Sequence, residues 1–535
     1  MKKVRKGFAL VCTLGLLWGV NPALTQLTLA ADHKNSTSNL GLSDEFFQSG
    51  QYFRAARYAF AAQLENSSSE PAAYSRISRS LVRARLFHSA SYFFIRTLQT
   101  KDDASIRKVL LDAELLMMQV GPDLLRGYLM KFTQVSQYDL TNRAAFEYSL
   151  AKAALLEGRE QEAIAHLSLI SKKSSLWPFA LQLRATAYAI LEKNEQAKTD
   201  FKECAELAVS LPESIEESEN ESIKRNFSLE VEDLQFRCQA GLARTLYQAG
   251  EFDQADRAYD HISKESFVWT DILFEQAWNA FAKADFNRAL GKLVTYESPS
   301  LKFVYNSEVD VLRAQSYLAM CLYDYAGQSI EQFESRYTSL ATELKQFVEK
   351  NQDSLVTFYE FGKKAYESPL HTAQQVNRLL NRFVRSPYFH GLVKQEEAVA
   401  SEKIAVAQFD RLQPGVDHSM KKGFPGFLNE VIGWRLGSIR KLGGAFVKNS
   451  LLDYHSVLIS DFEKIAFIKL EMLNREKQSL ISKKINPNVG ERTVGSDSRE
   501  RRSDQYLWSF NGEFWIDELG DYIFSLESQC KGPRG

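Results

Sequence analysis

The sequence predicts an all-α protein built from a series of helical hairpins, and three observations support this fold class. Alanines recur between residues 55 and 326 at spacings of 35, 73, 34, 58, 34 and 37 residues. A small residue lies 12 positions before each of these alanines. Proline is scarce, with 12 in 535 residues, and glycine is modest at 27, which favours long helices over turn-rich strands. The alanines are Ala55, Ala90, Ala163, Ala197, Ala255, Ala289 and Ala326.

The residues around each alanine repeat in one register. Two antiparallel helices approach closely only where their crossing carries small side chains, which explains the paired small positions. The position three before the alanine is aromatic in five of the seven copies. The small partners are Ser43, Ser78, Ala151, Ala185, Ala243, Ala277 and Ala314. The position five before the alanine is predicted to form the turn between the two helices, and it is occupied by Gly50, Arg85, Gly158, Glu192, Gly250, Ala284 and Cys321.

Two of the spacings are longer than one repeat. The spacing of 73 residues corresponds to two repeats, with a degenerate copy near Arg126. The spacing of 58 contains an acidic insertion at residues 208–228, which is expected to be a polar linker because its carboxylates lack the spacing of an EF-hand. The repeats therefore cover residues 43–335.

The N-terminus is predicted to be a secretory signal peptide at residues 1–30. A basic start, "MKKVRK", precedes an apolar run from Phe8 to Val20 and small residues that suit cleavage before Ala31. The apolar run is too short for a transmembrane helix. The protein is therefore expected in the periplasm, or secreted or associated with the outer envelope, with residues 31–42 as a flexible segment.

The rest of the chain is predicted to be mainly helical. Residues 336–410 continue the helical pattern as degenerate repeats, and a loop rich in proline and glycine follows at 411–426. Residues 427–482 are expected to form one or two long helices, packed as a helical hairpin or coiled coil with charge on the far face. Residues 483–504 are polar and aperiodic and are expected to be a flexible linker. The segment 505–530 is predicted to be an aromatic C-terminal helix that docks back on the protein, because so apolar a tail is unfavourable in water.

Composition and motifs point away from catalysis. The net charge is −1, so no global field favours nucleic acid. None of the eight histidines pairs with another at helical spacing, and no phosphate-binding glycine loop or nucleophile motif is present. We therefore expect no enzyme activity, no catalytic residues, no cofactor and no metal site.

The repeat of small, aromatic and turn positions resembles the tetratricopeptide (TPR) repeat. The clearest copies are "ARTLYQAGEFDQADRAY" (243–259) and "AWNAFAKADFNRAL" (277–290). The resemblance implies a right-handed superhelical solenoid whose concave groove, lined by the first helix of each hairpin, binds an extended peptide or a partner helix. Helical spacing around the crossing residues directs a basic and aromatic set toward that groove: Arg79, Lys152, Arg244, Tyr247, Phe274, Trp278 and Phe281.

Four cysteines follow the signal peptide, which allows two disulfides in three connectivities. Cys204 ends the second helix of one repeat, and Cys238 lies early in the first helix of the next, so we predict a Cys204–Cys238 disulfide. Cys321, at the turn of the last clear repeat, is then left to pair with Cys530 and hold the C-terminal tail. Such a bond closes a loop for which the chain-entropy model expects roughly 5 kcal/mol of stabilisation.

Two longer segments, "YLAMCLYDYAGQSIEQFESRY" and "WSFNGEFWIDELGDYIFSLESQC", resemble envelope TPR proteins of gliding and predatory bacteria. This resemblance implies a non-enzymatic scaffold for protein–protein interactions in an envelope complex, such as a gliding-motility, secretion or adhesion machine. The alternative hypothesis is a recruitment or regulatory module for peptidoglycan enzymes. The expected partners are envelope proteins or their peptide segments.

Overall fold

The computed structural model describes residues 36–530 except for 66, 208–220, 267, 302–303, 369–374, 413–422 and 486–509. The described residues form helices and turns, with no β-strand among them. The predicted signal peptide lies outside the described residues. So do most of the predicted linker, part of the acidic insertion and most of the loop at 411–426. No helix in the described part is both long and apolar enough to cross a bilayer.

The chain forms two compact units. The first contains Met1–Leu234 and Gly391–Ile439, and the second contains Gln235–His390 and Arg440–Gly535. The helices of the first segment are α1 Ser36–Gln48, α2 Tyr52–Glu65, α3 Glu70–Arg83, α4 Phe87–Thr100, α5 Asp103–Leu110, α6 Ala113–Val120, α7 Pro122–Phe132, α8 Ala144–Leu156, α9 Glu160–Leu167, α10 Trp177–Ile190 and α11 Asn194–Glu206.

The remaining helices belong to the second unit or contain the points at which the chain passes between units. They are α12 Glu221–Gln248, α13 Phe252–Asp260, α14 Trp269–Ala282, α15 Phe286–Val294, α16 Ser307–Ala319, α17 Tyr323–Tyr337, α18 Leu340–Asn351, α19 Leu355–Glu367, α20 Gln375–Phe383, α21 Pro387–Leu412 and α22 Gly423–Ile485.

The small residues of the repeat lie at the helix crossings, as the sequence predicts. All seven alanines are fully buried, and their seven small partners are no more than 1% exposed. Two of the partners also bond across the crossing: the Ser43 hydroxyl donates to the Ala55 carbonyl at 2.7 Å, and Ser78 donates to Ala90 at 3.3 Å. A larger side chain at these positions would push the paired helices apart, at a cost of about 1–3 kcal/mol.

The seven predicted turn positions all adopt a left-handed backbone, with φ between 58° and 79°. In each turn the amide of the following residue bonds back to a carbonyl five residues earlier, as in Leu322 N to Tyr317 O at 2.9 Å. This is the Schellman ending, which satisfies carbonyls that a helix C-terminus leaves without partners. Glycine adopts this conformation without strain, whereas Cys321 does so as an L-residue at φ 58°.

The degenerate copy near Arg126 is not a hairpin. Residues 103–132 form the three short helices α5, α6 and α7, with Arg126 in α7. Gly121, at φ 83°, separates α6 from α7, and Pro122 begins the new helix. A proline at the first helical position has no amide to leave unsatisfied, so the chain restarts there at low cost.

In the first unit, the ends of α21 and α22 pack on the second helices of the two N-terminal hairpins. Phe409 of α21 stacks on Phe53 of α2 with ring centroids 5.0 Å apart. Phe424 of α22 lies 5.6 Å from Phe53 and 5.1 Å from Phe60. These contacts bury the apolar faces of α2 and α4, which the hairpins do not bury by themselves.

The same contact contains a buried polar network. The Glu402 carboxylate of α21 accepts bonds from the His88 amide at 2.6 Å and from the amide and hydroxyl of Ser89, both at 3.0 Å. These amides belong to the first turn of α4, which has no intrahelical partner for them. Arg435 of α22 donates to His88 Nδ1 at 3.3 Å and to the Val120 carbonyl at 2.8 Å, at the end of α6. The network thus joins two helix ends to α21 and α22.

In the second unit, the later part of α22 packs on the hairpin of α16 and α17. Asp461 is fully buried and accepts a bond from the Ser307 hydroxyl at 2.7 Å, while the Tyr454 hydroxyl accepts from the Ser307 amide at 3.1 Å. Phe462 meets Phe333 edge-on with ring centroids 5.0 Å apart. Tyr454 thus accepts a backbone amide of the first turn of α16, and Asp461 holds the Ser307 hydroxyl beside it.

Three expectations about the chain's boundaries need correction. Residues 427–482 do not form a hairpin, because α22 is one continuous helix of 63 residues with its only proline near its start. The segment 31–42 is not wholly flexible: α1 begins at Ser36 and packs on α2, with Asn39 donating to Glu65 at 2.7 Å. The end of the acidic insertion is helical, since α12 begins at Glu221.

Candidate peptide-binding surfaces

The C-terminal tail, residues 510–530, lies on the hairpins of the second unit, as the sequence predicts, but it is not a helix. It consists of turns and extended chain. Leu519, Tyr522 and Ile523 are each only 7% exposed, and they are buried from turns and extended chain instead of from one face of a helix. The tail's amides bond to the hairpins or across the tail, for example Phe510 N to Ile523 O at 2.8 Å, and so do not form a helical ladder.

An aromatic cluster holds the tail in place. Phe510 lies 5.1 Å from the Tyr522 ring and 5.6 Å from Phe524, and Phe514 meets Tyr522 edge-on at 5.7 Å. The hairpin residues that pack with the tail in this cluster are Trp269, Leu273, Val294, Tyr296, Leu301 and Val304. Burial of several aromatic rings is the main favourable contribution to such a contact.

One asparagine recognises the backbone of the tail. Asn287, in the first turn of α15, accepts a bond from the Leu526 amide at 2.9 Å and donates to the Leu526 carbonyl at 3.1 Å. Its own carbonyl accepts the Phe524 amide at 3.1 Å. Further along, the Gln529 amide donates to the Met320 carbonyl at the end of α16, at 2.9 Å. All of these bonds involve backbone groups of the tail. A peptide in the same extended conformation could therefore be held with little dependence on its side chains.

Two glycines permit the tail to approach the helices of the second unit closely. A Cβ on Gly291 of α15 would lie 1.8 Å from the Tyr522 carbonyl oxygen. Gly520, at φ 89°, is close to Leu273, and its amide donates to the Thr295 hydroxyl at 3.2 Å. The helix surface at Gly291 is therefore shaped to receive the tail.

A disulfide fixes the end of the tail. Cys530 is bonded to Cys321 at the left-handed turn between α16 and α17, as the sequence predicts. The other two cysteines of the described part, Cys204 and Cys238, are buried and are also disulfide-bonded. The cysteine at this turn is thus explained by the tail, because the turn tip is within reach of the tail's last described residue.

Gly291→Ala is expected to release the tail without unfolding the hairpins. The added methyl must displace the Tyr522 carbonyl, whereas alanine itself favours the helix. We expect hydrogen exchange of the Gly520 and Phe524 amides to become about 10- to 100-fold faster while the disulfide keeps the tail attached.

Gly327→Ala is the matched control for this substitution. Gly327 lies within α17, where an added Cβ meets nothing within 4 Å. Exchange of the tail amides in this variant should match the wild type. Unchanged exchange in Gly291→Ala would contradict the close approach of tail and helix.

The predicted groove residues of the second unit lie together on the first helices of adjacent hairpins. Phe274, Trp278 and Phe281 line α14 and are half-buried. The Trp278 ring meets Phe274 at 6.3 Å and Phe281 at 5.7 Å, edge-on in both cases. They flank a core cluster around Ala277, and Tyr296 packs against both this cluster and the one that holds the tail. Tyr247 of α12 is also half-buried.

The predicted basic groove residues already have carboxylate partners. Arg244 makes a two-pronged ion pair with Glu275, at 2.8 Å and 2.7 Å, and thereby joins α12 to α14. In the first unit, Lys152 pairs with Asp123 at 2.9 Å, and Arg79 approaches Asp112 at 3.7 Å. Burial lowers the pKa of Arg79, and Asp112 opposes this shift. Only the set in the second unit forms one local surface.

No protein-family model matches this chain, and no curated protein is significantly similar to it. The candidate surfaces therefore rest on the residues themselves. Within the described part of the chain, no group of three or more His, Cys, Asp or Glu residues could hold a metal ion. What the surfaces offer chemically is apolar and aromatic contact beside backbone hydrogen-bonding groups.

Sequence reasoning did not identify the residues that receive the tail. Asn287, Gly291 and Thr295 carry no motif, although a glycine inside a helical pattern is a recognised sign of close approach. The aromatic tail and its cysteine were visible in the sequence. Which helix surface would receive them depends on the packing of α14, α15 and α16.

Proposed function

We propose that this protein is a non-enzymatic TPR-type scaffold of a bacterial cell envelope that binds extended peptide segments or helices of other envelope proteins. The observation that carries the proposal is the docked tail. The second unit already holds one extended aromatic peptide through the Asn287 side chain and an aromatic cluster. Hairpins that bind the chain's own peptide have the chemistry to bind a partner's.

The aromatic stripe of α14, defined as Phe274, Trp278 and Phe281, is the proposed partner site. Its rings are half-buried and lie outside the cluster that holds the tail. Aromatic side chains at such positions commonly dominate binding energy. The neighbouring Arg244 is paired with Glu275, so the partner segment is proposed to be apolar or aromatic and not acidic.

The proposed compartment is the periplasm or the outer envelope. Two disulfides are characteristic of an oxidising environment. The N-terminal signal pattern supports the same compartment. Participation in a gliding-motility, secretion or adhesion machine is the narrower form of this proposal, and it rests on the resemblance of residues 317–337 and 508–530 alone.

Trp278→Ala is expected to weaken partner capture from solubilised envelope fractions by at least about tenfold. The substitution removes the central ring of the stripe and leaves the tail cluster in place. Trp515→Ala is the matched control, because Trp515 is 58% exposed on the tail and is not part of the stripe. The captured proteins should be identified by mass spectrometry.

The identities of the captured proteins distinguish the hypotheses. Motility, secretion or outer-membrane components would support the scaffold, and peptidoglycan synthases or hydrolases would support the recruitment module. Equal capture by wild type and Trp278→Ala would contradict the proposed site. Turnover of a cell-wall substrate by the purified protein alone would overturn the non-enzymatic scaffold.

A further inference from the structure

The later part of α22 is apolar on two faces. One face is buried in the second unit through Leu451, Leu458 and Ile465, none of them more than 2% exposed. The other face was expected to be charged, but it carries exposed apolar side chains. Phe467 is 72% exposed and Leu470 is 66% exposed. The exposed face comprises Leu452, Ile459, Phe467, Leu470, Leu473 and Ile481.

These six residues form one stripe along α22, with Glu463 and Lys477 between its apolar positions. Their successive spacings are 7, 8, 3, 3 and 8 residues, which keep them on one side of a helix. From Ile459 to Ile481 the stripe is about 33 Å long at the rise of an α-helix. An apolar stripe of this length is unfavourable in water and is typical of a helix that pairs with another helix.

The stripe is symmetric about Leu470. Phe467 and Leu473 lie three residues before and after it, and Ile459 and Ile481 lie 11 residues before and after it. If a second copy of the helix runs antiparallel with its two-fold axis at Leu470, each of these residues meets its apolar counterpart. Leu470 then meets Leu470 of the second copy.

The charges on the stripe obey the same symmetry. Glu463 and Lys477 are exposed and lie seven residues before and after Leu470. In the antiparallel arrangement each glutamate faces the lysine of the other copy. A parallel arrangement would instead oppose like charges, which is unfavourable. Neighbouring charges are already paired within the chain, such as Lys469 with Glu334 at 3.0 Å.

We propose that a second copy of this chain binds the exposed face of α22, forming an antiparallel two-helix dimer whose two-fold axis passes through Leu470. The dimer buries the apolar stripe from Ile459 to Ile481 and pairs Glu463 with Lys477 at two equivalent places. It brings together two copies of the peptide-binding unit, yet it does not depend on the proposed function, because no partner takes part in the contact.

Leu470→Lys tests the dimer. It places two like charges at the two-fold axis, so the dissociation constant of the dimer should rise at least about 100-fold. Ile404→Lys is the matched control, because Ile404 is also an exposed apolar residue on a helix, 63% exposed on α21. Sedimentation equilibrium of the full chain over a concentration series gives the dissociation constants, and circular dichroism checks that each variant is folded.

A charge exchange tests the direction of the helices. Glu463→Lys should raise the dissociation constant about tenfold, and the double variant Glu463→Lys with Lys477→Glu should return it close to the wild-type value. A wild type that stays monomeric, including one that binds anionic vesicles instead, would overturn the proposal. So would a dimer that Leu470→Lys leaves intact, or a double variant that fails to recover.

Discussion

Gly444→Ala is expected to lower the free energy of unfolding of the second unit by about 3 kcal/mol or more. Gly444 lies within α22 and faces the start of α19. A Cβ at this position would lie 1.7 Å from the Leu355 carbonyl oxygen, which is a backbone atom and cannot rotate away. The two helices must separate, and the packing around them is lost. Urea unfolding followed by circular dichroism measures the change.

Gly327→Ala is the control for this experiment. Gly327 also belongs to the second unit, within α17, and an added Cβ there meets nothing within 4 Å. Alanine restricts the unfolded chain more than glycine does, so this variant should be more stable than the wild type by about 0.5–1 kcal/mol. The two substitutions are thus expected to change the free energy of unfolding in opposite directions. Equal stability of both variants would contradict the close approach of α19 and α22.

The second large effect is a pair of opposite pH dependences inside the first unit. Burial raises the pKa of Glu402 from 4.5 to about 7, although amide bonds and Arg435 favour its charged form. Burial also lowers the pKa of His88 well below 6.5, and Arg435 adds to this shift. Both groups are therefore more easily held neutral in the folded state than in the unfolded chain.

The two shifts act on stability in opposite directions. The contribution of Glu402 is full below pH 4.5 and is lost as pH rises to about 7, because the unfolded chain then loses its proton first. The contribution of His88 is full above pH 6.5 and is lost as pH falls, because the unfolded chain then gains a proton first. Each slope is about 1.4 kcal/mol per pH unit, so the two contributions oppose each other as pH falls below 6.5 in the wild type.

Removal of either group should reveal the other. Relative to the wild type, Glu402→Gln is expected to lose about 2 kcal/mol of stability as pH falls from 6.5 to 5, because it lacks the stabilisation that Glu402 gains over this range. His88→Asn, which keeps an acceptor for Arg435, is expected to lose stability relative to the wild type as pH rises from 5 to 6.5, because it lacks the opposing contribution of His88. Urea unfolding at a series of pH values gives the difference curves, in which the common titration of other groups cancels. Parallel curves for all three proteins would contradict the buried network.

The hairpin register was predictable because it depends on side-chain size at single positions. A crossing of two helices excludes large side chains wherever it occurs, so Ala255 and its equivalents recur along the chain. The left-handed turn is a local feature for the same reason. Cys321 could be placed at such a turn because glycine occupies the equivalent position in three other copies, Gly50, Gly158 and Gly250.

The secondary structure of the tail was not predictable from its own residues. The spacing of Leu519, Tyr522 and Ile523 suits a helix, but these residues are buried as extended chain and turns. A short segment on its own gains little from forming a helix. The bonds from Asn287 and from the Met320 carbonyl, together with the aromatic cluster, stabilise the extended backbone instead. A prediction made from the tail segment alone cannot take these partners into account, because they lie elsewhere in the chain.

The sequence by itself determined the repeat, the positions of the turns and the cysteine that holds the tail, because each follows from interactions between residues close in the chain or from a strict period. Only the tertiary structure decided that α22 is one helix with two apolar faces, that Glu402 is buried against the first turn of α4, and that Gly291 receives the tail. These features depend on which surfaces meet. The free energy of such contacts comes from pairs of residues far apart in the chain, and no local pattern records them.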